Sequence, residues 1–161
     1  MFSPTEENYL KAIYLLTEKD SARAVATNEL SAQMNTRAAS VTDMLKRLAD
    51  KRLIHYKKYK GVMLTTSGKS QALAIVRKHR LWEYFLVEKL KFQWDEVHAV
   101  AEELEHVKSE ALIDKLDSYL NNPKFDPHGD PIPDRLGKLS ASGFKNLTSL
   151  KVNEKGKVAA V

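Results

Sequence analysis

Three of the five histidines in this 161-residue chain, His79, His98 and His106, fall within 28 residues and are interleaved with Glu83, Glu102 and Glu105. His79 and Glu83 stand four apart; His98, Glu102 and His106 step by four, with Glu105 three beyond Glu102. On a helix these spacings project side chains from one face. If two such helices pack as a hairpin, imidazole nitrogens and carboxylate oxygens converge into a mixed donor set for a divalent cation. A solvated, Glu-rich helix face with histidines at its margin has the same spacing, so spacing leaves both readings open. Asp126-Pro127-His128 offers a further ligand pair on a Pro-flanked loop, or equally a turn with a surface histidine.

Nucleophilic and redox chemistry find less support. With no cysteine, the chain offers no thiol nucleophile, iron–sulfur cluster, thiolate zinc site or disulfide framework. There is no Gly-rich phosphate loop, no G-x-S-x-G and no H-E-x-x-H. Glu103 to His106 forms one Glu-x-x-His, whereas a di-iron bundle needs that motif twice plus two further glutamates.

A second constellation is polar and basic. Thr36, Arg37, Ala38, Ala39, Ser40, Thr42 and Asp43 open a helical segment whose short side chains allow close approach to base edges, with Arg37, Ser40 and Thr42 able to contact bases or phosphates. Lys46, Arg47, Lys57, Lys58 and Lys60 can neutralise phosphates from that helix and from the hairpin that follows. A solvated polar face, or a winged helix serving only protein contacts, is the alternative.

The elements that must position these residues are legible. Ser3-Pro4-Thr5-Glu6 fits a capped helix start, with Ser3 as N-cap, Pro4 first in the helix and Glu6 closing a capping box. Tyr9, Leu10, Ile13 and Leu16 then give an apolar stripe to about residue 18. Thr27 is read as the cap of a short helix over 28–34, and 38–50 as a third helix with Val41, Leu45 and Leu48 inward. The short polar turn between them predicts a helix-turn-helix. Residues 53–57 and 62–65 read as two strands, with Gly61 supplying a positive φ in the turn. Helix, turn, helix and hairpin make a winged helix. Thr66 is read as the cap of a helix running to about residue 90, followed by helices over 94–109 and 110–120. Four of the five prolines then fall within 121–134, marking a connector, and 147–161 reads as a strand in need of a partner.

Charge divides along the same lines. Residues 1–75 hold 12 basic and 7 acidic side chains, 76–140 hold 10 and 13, and 141–161 hold 4 and 1, for a net +5. A basic reader of a polyanion beside an acidic module is the expectation. The length suits one domain or two small ones with a real core. No apolar run approaches a membrane span, and Met1-Phe2-Ser3-Pro4 lacks a signal-peptide pattern, so the cytoplasm is the expected compartment.

A winged helix, then Arg77-Lys78-His79-Arg80-Leu81 with Glu83, then His98 and Glu-Glu-Leu-Glu-His-Val at 102–107, then Pro-His-Gly-Asp-Pro-Ile-Pro at 127–133, resembles the diphtheria toxin repressor family of metal-dependent bacterial regulators, which includes the manganese transport regulators. The resemblance covers about residues 3–135. It implies a mainly α fold: a winged helix-turn-helix DNA-binding domain over 1–75, a helical dimerisation and metal-binding domain over 76–140, and over 141–161 a linker with the first strand of an SH3-like domain.

By position, the resemblance implies a primary metal site of Asn8, Glu102, Glu105 and His106, and an ancillary site of His79, Glu83 and His98, sometimes joined by Asp126 and His128. In the manganese regulators His79 would join the neighbouring carboxylates in a two-metal cluster instead. Three departures matter: position 8 is Asn where the family has Asp or Met, position 11 is Lys where one manganese subgroup has a Glu ligand, and position 102 is Glu where iron-responsive members have Cys. A hard carboxylate replacing a soft thiolate favours Mn(II), with Fe(II) as the alternative. The family further implies a homodimer on double-stranded DNA with a palindromic operator, a metal co-repressor tying the two modules together, and repression of metal-uptake genes. No enzyme activity is expected. The rivals are a winged-helix regulator that senses no metal and a carboxylate-bridged metalloenzyme.

Overall fold

The computed structural model describes residues 2–18, 20 and 22–140. The elements are α1 (Pro4–Thr17), α2 (Thr27–Gln33), α3 (Ala38–Asp50), β1 (Ile54–Lys57), β2 (Gly61–Leu64), α4 (Thr66–Leu90), α5 (Trp94–Leu104) and α6 (Glu110–Tyr119). The chain forms two compact units divided between Ile75 and Val76, within α4. The strand expected over 147–161 lies outside the described residues.

In the first unit the capping box forms as the sequence predicts: Ser3 Oγ accepts the Glu6 N–H, and Glu6 Oε2 accepts the Ser3 N–H at 3.0 Å. Lys51 reaches the other Glu6 oxygen at 2.5 Å and anchors the C-terminal end of α3 to the start of α1. Tyr9, Leu10 and Ile13 of α1 are buried, as are Leu30 of α2 and Val41, Leu45 and Leu48 of α3. The α3 residues stand at i, i+4 and i+7, so burying them turns the rest of the helix outward. Truncating Leu45 to Ala would cost about 2–5 kcal/mol.

Two caps differ from expectation. Thr27 is the first helical residue of α2 and Ala26 the cap; with no hydroxyl there, Glu29 supplies the bond, accepting the Ala26 N–H at 2.8 Å. Thr66 likewise lies inside α4, and Thr65 Oγ1 accepts the Gly68 N–H at 3.0 Å. A Cβ on Gly68 would lie 1.9 Å from the Leu53 carbonyl oxygen, so glycine is what lets the start of α4 rest on β1's approach.

β1 and β2 pair antiparallel, with Ile54 opposite Leu64 and Lys57 opposite Gly61. Val25 bridges Val62 through two 2.9 Å hydrogen bonds, adding one rung of a third strand. Gly61 takes φ +90° beneath Val25, as the turn reading expects.

In the second unit α4 has apolar contacts on two sides. Leu81 packs with Ile113, Leu116 and Leu120 and with Ile132 of the Pro-rich segment, while Leu86 packs with Val97 and Ala101 of α5. The sequence reading ran the fifth helix to residue 109, but α5 stops at Leu104 and Glu105 is its C-cap. The reason lies downstream: Ser109 caps α6 by accepting the Leu112 N–H, so the chain must leave helical geometry before it. No helix of the described residues is long and apolar enough to cross a membrane.

Candidate metal centre and nucleic-acid interface

α4 carries His79 and Glu83 one turn apart on a buried face, and α5 brings His98 to them. The donor atoms form a nearly equilateral triangle. His79 Nε2 is 3.1 Å from Glu83 Oε1, His98 Nδ1 is 3.2 Å from the same oxygen, and the two ring nitrogens are 3.2 Å apart. With metal–ligand bonds of about 2.1–2.2 Å, adjacent ligands are separated by about 3.0–3.1 Å around an octahedral ion and about 3.4–3.6 Å around a tetrahedral one. The triangle therefore fits one face of a six-coordinate first-row cation, with the opposite positions left for water or further ligands.

Burial alone would raise the Glu83 pKa, but hydrogen bonding and charge from His79, with His98 and His128 adding to it, hold the carboxylate below its ordinary value of 4.5. It is thus ionised and ready to ligate at neutral pH.

The loop after α6 supplies a second grouping around the same carboxylate. Ligand atoms of Glu83, Asp126 and His128 lie within 4.8 Å of one another, His128 Nδ1 being 3.8 Å from Glu83 Oε2. Asp126 has another duty as well. Its Oδ1 accepts the backbone N–H groups of His128 at 2.8 Å and Asp130 at 2.9 Å, shaping the turn that aims His128. Arg80, named in the sequence only as part of the motif at 77–81 and given no role there, pins this loop to α4 by donating to the Pro131 carbonyl at 2.7 Å and standing 3.6 Å from Asp126 Oδ2. The one clue to it was the basic run ending at position 80. Burial pushes the Asp126 pKa up to about 6; the Asp130 N–H opposes this, Glu83 and Asp130 add to it, and Arg80 offsets part.

Glu102, Glu105 and His106 are placed differently. Glu105 is fully buried and its Oε2 lies 2.6 Å from His79 Nδ1, the ring nitrogen facing away from the donor triangle. A carboxylate there fixes ring orientation and raises the basicity of the opposite nitrogen. Glu102 is half exposed, 3.5 Å from His98 Nε2, and His106 Nε2 is 3.9 Å from Glu105 Oε1. Among the described residues, neither candidate ligand group includes any of these three; both are built on Glu83. Asn8 is half-buried on α1 of the first unit.

The second constellation lies on the outward face of α3 and on the hairpin. Arg37, Ala39, Ser40, Asp43, Lys46 and Arg47 are exposed, and Thr36 and Thr42 are half-buried. The Thr42 hydroxyl donates to the Ala38 carbonyl at 2.9 Å, leaving its oxygen free to accept, and Lys46 and Asp43 are 3.4 Å apart. Lys57, Lys58 and Lys60 are exposed around the hairpin tip.

A winged helix joined to a helical unit with a His/carboxylate centre defines a class, and comparison with known proteins names it. Residues 1–62 match the N-terminal DNA binding domain of the iron dependent repressors, and residues 65–134 match their metal binding and dimerisation domain. The chain belongs to the iron-dependent repressor family, and its resemblance to the diphtheria toxin repressor group is borne out. It is 36% identical over 132 residues to the iron-dependent repressor IdeR of Mycobacterium leprae (strain TN), covering 82% of this chain and 56% of that protein. It is 33% identical over 122 residues to the HTH-type transcriptional regulator MJ0568 of Methanocaldococcus jannaschii, covering 76% of this chain and 97% of the relative. The structure of a manganese-dependent transcriptional repressor in complex with manganese superposes with a TM-score of 0.80 at 38% identity, over 91% of this chain and 66% of the other. The chain thus spans little more than half the length of the IdeR relative.

Proposed function

We propose that this chain is a metal-dependent transcriptional repressor that binds double-stranded DNA as a homodimer, takes Mn(II) or Fe(II) as co-repressor and controls metal-uptake genes in the cytoplasm. The observation that carries the reading is the donor triangle of His79, Glu83 and His98 in a chain whose winged helix turns a basic face outward. The manganese named in the structural relative and the iron named in IdeR support the same two ions.

His79 Nε2, Glu83 Oε1 and His98 Nδ1 would hold the ion, with His128, 3.8 Å from the other Glu83 oxygen, as a further donor and Asp126 holding His128 in place. Two imidazoles and a carboxylate, with no thiolate, suit Mn(II) and Fe(II). When bound, a divalent cation supplies the charge that makes convergence of these donors favourable, and so shifts the population towards the conformer that grips DNA. Glu105 orients His79 from behind. Thr36, Arg37, Ala39, Ser40, Thr42 and Asp43 face the major groove, while Lys46, Arg47, Lys57, Lys58 and Lys60 neutralise phosphates. A dimer presents two such helices, so its operator is a palindrome.

The test is DNA binding under anaerobic conditions against a series of divalent ions, with metal counted per chain. The reading expects tight binding with Mn(II) or Fe(II) and loss of it in chelator. Binding indifferent to chelator would instead support a winged-helix regulator that senses no metal.

A further inference from the structure

The tip of the wing carries a residue that phosphate contacts do not account for. Between β1 and β2 the chain turns through Lys58, Tyr59 and Lys60, closed by the Lys60 N–H donating to the Lys57 carbonyl at 2.9 Å. Tyr59 occupies the third position of that turn with φ +66°. Glycine or asparagine is the low-strain residue there, because an L side chain in the left-handed region crowds the backbone at a cost of about 1–2 kcal/mol. Tyr59 is 93% exposed, more so than any other large apolar residue among those described. The ring contact it does make is with Lys58, whose Nζ stands 5.0 Å from the ring centroid. Arg52 and Lys91 share this left-handed conformation, so what sets Tyr59 apart is its exposure together with its basic neighbours.

The surroundings identify the partner. Lys57, Lys58 and Lys60 concentrate positive charge around a ring held away from the protein, which pairs electrostatic attraction to phosphates with an aromatic surface for the groove between them. We infer that Tyr59 is a minor-groove residue: the wing tip carries its ring edge-on into the minor groove flanking the bases read by α3. That groove is about 6 Å wide, enough for an aromatic ring on edge, and its floor offers A N3 and T O2 as acceptors for the phenol O–H. A guanine N2 amino group projects from the same floor into the space the ring would fill, and so obstructs its entry. The wing thereby adds a preference for A·T pairs outside the segment contacted by α3. This inference rests on the DNA-binding reading above.

The experiment uses the full chain with Mn(II) and a duplex selected by it from a random pool, the flanking pairs then being set to A·T, G·C or inosine·C. Inosine·C matches G·C in the major groove but lacks the minor-groove amino group. The wild type should bind the A·T and inosine·C flanks alike and the G·C flanks about tenfold more weakly. Tyr59→Gly relieves the backbone strain, so it should melt no lower than wild type; it should bind all three duplexes equally, with an unchanged salt slope. Lys58→Gln should keep the preference and lower the slope by about 0.9. Wild-type affinity and preference in Tyr59→Gly, or inosine·C behaving like G·C, would overturn the inference while leaving DNA binding intact. Failure of the wild type to select any duplex would overturn both.

Discussion

Glu83 is the vertex on which the metal centre is built, so Glu83→Gln is the most informative single change. One carboxylate oxygen faces both His79 Nε2 and His98 Nδ1, at 3.1 and 3.2 Å, and the other faces His128 at 3.8 Å. Gln keeps the shape and an acceptor oxygen but removes the one negative charge of the donor triangle. Losing a supporting partner behind a metal ligand typically lowers affinity 10–100-fold. Removing the charged ligand itself should therefore exceed that, by at least about 100-fold, or roughly 2.7 kcal/mol. The fold should tolerate the change, since the amide preserves side-chain volume. Calorimetric titration with Mn(II), beside Glu103→Gln as an exposed control on the same unit, measures the effect. The Glu103 variant should bind as wild type does. Wild-type Mn(II) affinity in Glu83→Gln would refute the argument that the ion sits on this triangle.

Other consequences follow from the same geometry. Glu105→Gln leaves the triangle intact but removes the carboxylate 2.6 Å behind His79, so Mn(II) affinity should fall about 10–100-fold while the isolated fold melts within a few degrees of wild type; an unchanged affinity would show that His79 needs no such support. Gly68→Ala would force a Cβ to within 1.9 Å of the Leu53 carbonyl, and thermal unfolding should show destabilisation of more than about 3 kcal/mol; a wild-type melting temperature would mean that the approach of Leu53 to α4 is not needed. For Glu6, burial raises the pKa but the Lys51 ammonium and the Ser3 N–H outweigh it, so the folded value lies below 4.5. Its stabilisation is thus present above pH 4.5 and lost as pH falls through the lower folded value. Denaturant titrations of Glu6→Gln should differ from wild type by about 1 kcal/mol at pH 7 and converge in acid, whereas a pH-independent gap would contradict the ion pair.

Much of the fold was legible because local signals agreed with one another. Val41, Leu45 and Leu48 predict α3 over the same residues it occupies, and Ser3-Pro4-Thr5-Glu6 caps α1 as read. The two misread caps have separate causes. At Ala26 the bond comes from a side chain three residues on, and at Thr65-Thr66 two adjacent hydroxyls compete for the role; a tertiary fact, the nearness of Leu53 to Gly68, accompanies the choice. In the candidate site, His79 and Glu83 were readable because helical period alone puts them together. That Glu105 lies against His79, 26 positions away in sequence, and that Asp126 organises its own turn depend on packing between elements. The length of α5 was overread because Glu102, Glu105 and His106 look like a continuing helix face until the cap at Ser109 is considered.

Reciprocity gives the most direct test of the central claim. If an ion on His79, Glu83 and His98 favours the DNA-gripping conformer, DNA must strengthen Mn(II) binding by the same factor by which Mn(II) strengthens DNA binding. The measurement is Mn(II) affinity of the full chain with and without saturating selected duplex, set beside duplex affinity with and without Mn(II). The account predicts two equal factors, well above one in the wild type and collapsing in Glu83→Gln. Mn(II) affinity indifferent to DNA in the wild type would contradict it.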